Sequence, residues 1–232
     1  MIPWLYPTDP FPPLDTALEY PNGLLAAGGD LSVPRLLDAY RRGIFPWYSE
    51  GEPILWWSPN PRMALFPWEL RVSRSLAKRL RRRDYEVRAD TAFDAVMKGC
   101  AAPRGGQAGT WITPQMTRAY RALRAQGYAH SVETWIGGEL AGGLYGVAIG
   151  GMFYGESMFT RVTDASKIAF VHLVRQLERW RFGLIDCQMR TAHLESLGAR
   201  EISRRDFTSR MQELLNYRHY PGPWRFSHDP PG

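Results

Sequence analysis

The sequence predicts a mixed α/β chain of the α+β class, and three observations support this prediction. Two glycine pairs, Gly137-Gly138 and Gly150-Gly151, separate three strand-like runs and so predict an antiparallel meander. Amphipathic helical patterns with capping signals lie before and after this meander in the chain. The composition is 44% hydrophobic and 22% charged, which excludes wholesale disorder.

The individual elements follow from local capping and periodicity. The first helix, from Val33 to Arg42, has Ser32 as its cap, Pro34 in its first turn and Gly43 at its end. Asp164 is the predicted cap of the longest helix. Beyond the first helix we predict helices at 73–83, 92–100, 114–126, 165–181 and 191–197, and strands at 130–136, 140–149, 152–159, 183–188 and 200–203.

The first sixty residues are rich in proline and aromatic side chains, and the prolines between positions 46 and 61 break any long element. We therefore predict a small N-terminal domain, residues 1–61, followed by a second domain, residues 62–232. The glycine pair Gly28-Gly29 lacks the spacing and the lysine of a phosphate-binding loop, so it is interpreted as a tight turn.

The two predicted domains, residues 1–61 and 62–232, also differ in charge. Residues 1–61 carry three basic and seven acidic side chains, whereas residues 62–232 carry 26 basic and 16 acidic ones. Eight basic side chains fall between Arg71 and Arg88, against only Asp84 and Glu86. This asymmetry predicts a polyanionic partner for the second domain.

The short helix at 73–83 concentrates that positive charge on one side. At 100° per residue, Val72, Leu76 and Leu80 share the opposite, apolar side. A basic stripe at this spacing suits the phosphates of a nucleic acid, although a solvated helix face is the alternative. The predicted nucleic-acid-binding side chains are Arg74, Lys78, Arg81 and Arg82.

Asp186 and Gln188 are the strongest candidates for chemistry. They are two residues apart on a predicted strand, so both side chains are expected on one face, with Cys187 on the other, packed face. Catalysis would need a carboxylate that holds an amide whose oxygen accepts a hydrogen bond from an attacking amine. The alternative is a strand end that frays into solvent.

Other polar and aromatic residues allow two interpretations each. Glu156, beside Gly155 in a predicted strand, is either a site carboxylate or a solvated charge. Trp111 either lines a pocket or packs in the core. Cys187 has no nucleophile motif around it, and the five histidines show no metal-ligand spacing, so we predict no metal site.

Compartment signals are consistent with the cytoplasm. No apolar run approaches the ~20 residues that span a bilayer, and the N-terminus lacks the regions of a signal peptide. Only Cys100 and Cys187 are present, which suits a reducing compartment, with one bridge in an exported protein as the alternative.

Several segments together resemble the leucyl/phenylalanyl-tRNA–protein transferase family, the bacterial aminoacyltransferases of the N-degron pathway. The resemblance covers nearly the whole chain in the family's order, and only the tail after Arg218 departs from it. The segments are Pro21-Asn22-Gly23-Leu24-Leu25-Ala26-Ala27-Gly28-Gly29-Asp30-Leu31, Tyr40-Arg41-Arg42-Gly43-Ile44-Phe45-Pro46-Trp47, Trp57-Ser58-Pro59, Gly109-Thr110-Trp111-Ile112-Thr113, residues 142–159, Leu184-Ile185-Asp186-Cys187-Gln188 and His193-Leu194-Glu195-Ser196-Leu197-Gly198-Ala199-Arg200.

The resemblance implies a fold and an activity. It implies a small N-terminal α/β domain followed by a GNAT-like mixed α/β domain with a mostly antiparallel central sheet. It also implies transfer of Leu, Phe and, less efficiently, Met from aminoacyl-tRNA to proteins that begin with Arg or Lys, which marks them for degradation. No cofactor and no membrane partner are expected.

The resemblance also implies the site. The catalytic residues would be Asp186, Gln188 and Glu156 by position. The apolar pocket for the aminoacyl side chain would be lined by Trp47, Trp111, Leu144, Met152, Phe153 and Met158.

Two other functions stay open from the residues alone. A GNAT-type acetyl-CoA N-acetyltransferase would need a glycine-rich loop before the long helix, where residues 160–165 contain no glycine. A non-catalytic RNA-binding protein would leave Asp186 and Gln188 unexplained.

Overall fold

The structure is a computed structural model that describes residues 2–82, 84–103 and 111–226. Gly109 and Thr110, which begin the family-like segment 109–113, lie outside the described residues, as does Arg83 at the end of the predicted basic helix. Its strands are β1 (Trp4–Leu5), β2 (Leu24–Gly28), β3 (Phe45–Pro46), β4 (Leu55–Trp57), β5 (Arg62–Leu65), β6 (Glu86–Ala89), β7 (Ala129–Ile136), β8 (Glu139–Ile149), β9 (Met152–Thr160), β10 (Leu184–Gln188) and β11 (Arg200–Ile202). Its helices are α1 (Val33–Arg41), α2 (Arg74–Leu80), α3 (Phe93–Ala101), α4 (Pro114–Ala125), α5 (Ala165–Arg179), α6 (Ala192–Ser196) and α7 (Arg204–Leu214).

The strands form two sheets. The smaller sheet has the order β1-β2-β4-β3, and the larger one has the order β11-β5-β10-β9-β8-β7-β6. Strands β7, β8 and β9 form the predicted antiparallel meander, and β10 then pairs in parallel with β9 after the crossover through α5. Mixed α/β structure with a mostly antiparallel central sheet is therefore confirmed, and the meander followed by one parallel strand is the order expected of a GNAT-like domain.

Two hydrophobic cores cover the two faces of the larger sheet. Helix α5 lies on one face, where Ile168, Val171 and Leu177 are fully buried. Helices α3 and α4 lie on the other face, in a core that also includes residues of the smaller sheet and of α1. The two sheets thus share a core, and the domain boundary at residue 61 stays a prediction.

Local signals account for most element ends. The Ser32 hydroxyl accepts a hydrogen bond from the amide of Arg35 at 3.4 Å, and Gly43 has a φ of +74°, so α1 starts and stops as predicted. Ser73 likewise caps α2 through the amide of Leu76 at 3.2 Å.

The predicted cap of α5 is wrong. Asp164 has a φ of +66°, and its side chain makes no capping hydrogen bond. Its carboxylate accepts instead from the Lys167 ammonium at 3.0 Å. A capping residue normally has an extended backbone, and the left-handed backbone of Asp164 departs from that geometry.

Within the described ranges, no helix combines the length and the apolar character needed to cross a membrane.

Candidate active site

Asp186 is completely buried beside a buried arginine. Strand β10 lies antiparallel to β5, which places Asp186 opposite Ala64 and within reach of Arg62. The Arg62 guanidinium donates through Nε to Oδ1 at 2.8 Å and through Nη2 to Oδ2 at 2.6 Å. Its third donor, Nη1, reaches the carbonyl of Gly43 at 3.1 Å. Such a bidentate, charge-assisted pair fixes both side chains in one geometry.

Gln188 does not share a regular strand face with Asp186, so that prediction is wrong. The pairing of β10 with β5 shifts register between these two residues, and Gln188 has a φ of +61°. The Gln188 amide N–H donates to Asp186 Oδ1 at 2.9 Å. Asp186 therefore holds the backbone of Gln188 rather than its side chain, and the left-handed turn directs that side chain away from Arg62.

The side chain of Gln188 meets Glu156. Its Nε2 donates to Glu156 Oε1 at 3.3 Å, which leaves Oε1 of Gln188 directed away from that carboxylate. Glu156 is the extra residue of a β-bulge, because Gly155 pairs with Gly146 while Ser157 pairs with Tyr145. Bulges of this kind redirect a side chain out of the regular alternation.

Two tyrosines from distant helices complete the polar cluster. The Tyr40 hydroxyl on α1 donates to Glu156 Oε1 at 2.7 Å, and the Tyr120 hydroxyl on α4 donates to Oε2 at 2.6 Å. The two hydroxyls also lie 2.6 Å apart. Burial and the neighbouring carboxylate raise the pKa of both phenols well above the usual value, so both stay protonated.

Glu156 is the titratable member of this cluster. Only 8% of the residue is exposed, and burial raises its pKa to about 7, although hydrogen bonds from Tyr120 and Tyr40 oppose that shift. Three short oxygen–oxygen contacts join the three groups, whereas the two phenols supply only two protons. A proton on Glu156 supplies the third, so near neutral pH the cluster can hold or release one proton.

A cavity of about 430 Å³ opens next to this cluster. Glu156 and Gln188 lie on its wall, whereas Asp186 does not line it. Its apolar wall comes from β8, β9, β10 and α5, and the partly exposed Trp47 and Trp111 also border it. The apolar lining side chains are Phe45, Pro46, Trp47, Trp111, Leu144, Phe153, Met158, Phe170, Ile185, Met189 and Leu194. Tyr145, Ser157, Thr191 and His193 add polar groups to the lining.

Five of the six predicted pocket residues line this cavity, and Met152 does not. Met152 is fully buried in the other core, opposite Leu184. Successive residues of a strand point to opposite faces, so Phe153 and Met152 cannot both reach the cavity. Gly146 lets Phe153 take its place, because a Cβ there would lie 2.5 Å from the phenyl ring.

Cys187 packs against the core beside α5, as predicted, and also borders the cavity. Burial and the charge of Asp186 raise the pKa of its thiol far above neutrality, so it is not a thiolate nucleophile. In the part of the chain that the structure describes, no cluster of three or more His, Cys, Asp or Glu side chains is arranged to hold a metal.

The basic side chains predicted to bind nucleic acid lie on α2 or directly after its end at Leu80, and they are on the surface as predicted. Arg74, Lys78, Arg81 and Arg82 are exposed, and none forms an ion pair with any residue that the structure describes. Arg79, on the same helix, is different because it pairs with Asp84. Leu76 and Leu80 are buried beneath the helix.

Sequence reasoning did not identify Arg62, Tyr40 or Tyr120. Each is a buried polar side chain whose partner lies far along the chain: 124 residues for Arg62, 116 for Tyr40 and 36 for Tyr120. No spacing rule relates residues at those separations. Only Arg62 gives a local signal, because it stands between Pro61 and Met63 without a neighbouring charge to pair with.

Comparison with known proteins places the chain in a family. Residues 64–212 match the family described as leucyl/phenylalanyl-tRNA protein transferase, and residues 29–60 match its N-terminal domain. The chain is 64% identical to the leucyl/phenylalanyl-tRNA–protein transferase of Nitrosospira multiformis, over 99% of each chain. It is also 64% identical to the protein of that name from Nitrosomonas europaea, over 100% of this chain and 98% of the relative.

Among solved structures, the chain aligns with a GCN5-related N-acetyltransferase from Kribbella flavida over 72% of this chain and 60% of that one, with 13% identity and a TM-score of 0.39.

The sequence matches identify the chain as an enzyme of the aminoacyltransferase class. It belongs to the leucyl/phenylalanyl-tRNA–protein transferase family, and the resemblance predicted from its motifs is confirmed.

Proposed function

We propose that this enzyme transfers Leu, Phe and, less efficiently, Met from aminoacyl-tRNA to the N-terminal α-amino group of proteins that begin with Arg or Lys, and so marks them for degradation. The observation that carries the proposal is the cavity of about 430 Å³ whose wall combines apolar side chains with the hydrogen-bonded pair Gln188 and Glu156. The apolar part of the wall suits an aminoacyl side chain, and the polar pair suits an amine.

The reaction is aminolysis of an ester. The neutral amine attacks the carbonyl carbon, a C–N bond forms, the C–O bond to the ribose breaks, and one proton passes from the nitrogen to the ribose oxygen. An ester is already activated, so positioning of the two reactants supplies much of the rate and no cofactor is needed.

Gln188 positions the amine. Because Nε2 donates to Glu156, the amide oxygen is the atom left to accept a hydrogen bond from the amine N–H. That bond directs the nitrogen lone pair towards the ester. Asp186 acts as a positioning residue: with Arg62 it fixes the backbone amide of Gln188, and it does not reach the cavity.

Glu156 accepts a proton from the acceptor amine. An acceptor amine arrives largely as an ammonium ion and must lose a proton before it attacks. A carboxyl whose pKa lies at about 7 has the right affinity to take that proton near neutral pH, and the protonated form satisfies all three short contacts of the tyrosine cluster.

The cavity wall limits the donor. The part of the wall formed by Leu144, Phe153 and Ile185 has no side chain that can form a hydrogen bond, so a charged aminoacyl group placed against it would lose its hydration without compensation. An apolar wall discriminates weakly between apolar chains of different shape. Leu, Phe and Met are therefore accepted together.

The decisive experiment incubates the protein with radiolabelled Leu-tRNA and a peptide that begins with Arg. A matched peptide that begins with Gly is the acceptor control, and labelled acetyl-CoA in parallel tests acetyl transfer. We expect label only in the Arg peptide and only from Leu-tRNA. Label from acetyl-CoA alone would establish an acetyltransferase, and tRNA binding without transfer would establish an RNA-binding protein.

A further inference from the structure

A second cavity lies against the first one. It encloses about 400 Å³ where β9 ends and α5 begins. Met158 and His193 border both cavities, so the two are separated by only one layer of side chains. The aminoacyl transfer proposed above uses the first cavity and leaves the second one without a role.

The second cavity is suited to an anion by its lining. Arg161 is the one charged side chain among the described residues that line it, and no described carboxylate does so. Its Nη1 donates to the carbonyl of Leu140 at 3.1 Å, which holds the guanidinium in place and leaves its other donors for a ligand. Thr160 also lines the cavity, but its hydroxyl already donates to the carbonyl of Val162 at 2.7 Å.

The N-terminus of α5 supplies further donors. This helix has 15 residues, and its preceding residue Asp164 makes no capping hydrogen bond. The amides of Ser166 and Lys167 have no acceptor among the residues that the structure describes. Unsatisfied amides at a helix start attract anions, because they carry the positive end of the helix dipole.

Ser166 is the independent observation that points to a ligand. The residue is 8% exposed and lines the second cavity, yet its hydroxyl has no hydrogen-bond partner in the described part of the chain. The hydroxyl is therefore free to donate a hydrogen bond to a group held in the cavity. An arginine, a buried serine and helix-start amides around one space form a set of donors that fits a phosphate group.

We infer that the second cavity binds the phosphodiester on the 5′ side of the terminal adenosine of the donor tRNA. The inference rests on the proposed function. With the aminoacyl side chain in the first cavity, the ester sits near Gln188, and the 5′ phosphate is one ribose away from it. The second cavity is separated from the first only by Met158 and His193. It holds the hydrogen-bond donors that a phosphate group at that distance would need.

The test uses two inhibitors that differ only in that phosphate. Both are 3′-deoxyadenosines that carry phenylalanine through an amide at the 3′ position, and one bears a 5′-phosphate methyl ester that mimics the diester. Each is titrated against transfer from Phe-tRNA to an Arg peptide. For the unaltered enzyme we expect the phosphate to strengthen inhibition by roughly tenfold, the value of one or two charge-assisted hydrogen bonds.

Variants then locate the phosphate. In Arg161→Gln and in Ser166→Ala, the ratio of the two inhibition constants should fall towards one, while inhibition by the compound without phosphate stays unchanged. Arg179→Gln, the same charge change at the exposed far end of α5, should keep the full ratio. If Arg161→Gln fails to fold, Ser166→Ala decides the matter by the same ratio.

Two different failures are distinguishable. An unaltered enzyme that is inhibited equally by both compounds, or a ratio that survives Arg161→Gln and Ser166→Ala, overturns the phosphate site and leaves the transferase activity standing. Absence of any transfer from Phe-tRNA overturns the proposed function itself.

Discussion

Arg62 and Asp186 form a fully buried, bidentate ion pair, with hydrogen bonds of 2.8 Å and 2.6 Å across 124 residues of sequence. The carboxylate also accepts the backbone amide of Gln188 at 2.9 Å. These hydrogen bonds fix the Arg62 side chain and the Gln188 backbone, and the Asp186 carboxylate does not line the cavity. The geometry thus favours orientation over proton relay as the role of Asp186.

The first prediction concerns this pair. Asp186→Asn removes the charge that compensates the buried Arg62 guanidinium, so the free energy of unfolding should fall by about 3 kcal/mol. Urea denaturation measures it. Asp94→Asn is the matched control, because Asp94 pairs with Arg121 on the surface and should change stability by less than about 1 kcal/mol.

Activity separates orientation from relay in the same variants. If Asp186 only orients, Asp186→Asn keeps an oxygen for the Gln188 amide, so the folded fraction should retain much of the transfer rate while Asp186→Ala loses it. A folded Asp186→Asn protein as inactive as Asp186→Ala would contradict orientation and restore the relay.

The second prediction concerns Gln188. Gln188→Ala removes the amide oxygen proposed to hold the amine, so kcat for transfer should drop by roughly 10²-fold or more. Affinity for tRNA should stay nearly unchanged, because α2 is untouched. Gln212→Ala, an exposed glutamine on α7, is the control for the substitution itself.

Gln188→Glu is a sharper version of the same test. It keeps an oxygen but brings a second carboxylate against Glu156, which lies within hydrogen-bonding distance of the native amide at 3.3 Å. Two adjacent carboxylates raise one pKa, so the transfer rate should depend on pH differently from that of the unaltered enzyme. Full activity in Gln188→Ala, with an unaltered pH profile in Gln188→Glu, would remove this residue from the mechanism.

How far the sequence predicts this site depends on whether a feature is local. The meander and the capped helix α1 follow from glycine turns and neighbouring side chains, and both were predicted correctly. The bulge at Glu156 and the left-handed turn at Gln188 depend on pairing between strands, which a single chain segment does not reveal. The alternation of side chains along a regular strand therefore predicted incorrectly that Gln188 and Asp186 share one face.

The third prediction concerns pH. Burial raises the pKa of Glu156 from 4.5 to about 7, so the folded protein keeps a proton that the unfolded chain has already released. The contribution of protonated Glu156 to the free energy of unfolding is fully present below about pH 4.5. It is lost as the pH rises to 7 and above, by up to about 3 kcal/mol. Thermal unfolding from pH 5 to 8 measures it, as a difference from Glu156→Gln, whose neutral amide does not titrate.

The direction can be checked with one more variant. The Tyr120 hydroxyl lowers the pKa of Glu156, so Tyr120→Phe should move the midpoint of this pH dependence upwards. A stability difference between the unaltered protein and Glu156→Gln that stays constant with pH would contradict a titrating Glu156.

The fourth prediction concerns tRNA. If Arg74, Lys78 and Arg81 contact phosphates, replacing all three with Ala should weaken tRNA binding and reduce the slope of log K against log salt by roughly two to three. Selectivity among Leu, Phe and Met should survive, since phosphate contacts carry no information about the aminoacyl group. Arg79→Ala is the control, because Asp84 already neutralises that charge. An unchanged slope in the triple variant would remove α2 from the RNA interface.

The fifth prediction concerns donor choice. One tRNA body charged in turn with Leu, Phe, Met, Asp or Lys isolates the aminoacyl side chain as the only variable. The wall formed by Leu144, Phe153 and Ile185 cannot satisfy a charge, so transfer of Asp or Lys should be slower than that of Leu by roughly 10³-fold or more. Measured as kcat/KM with one Arg peptide, Leu, Phe and Met should fall much closer together, because an apolar wall separates apolar side chains by only about 1–3 kcal/mol. Efficient transfer of Asp would mean that a polar group, and not this wall, receives the donor side chain.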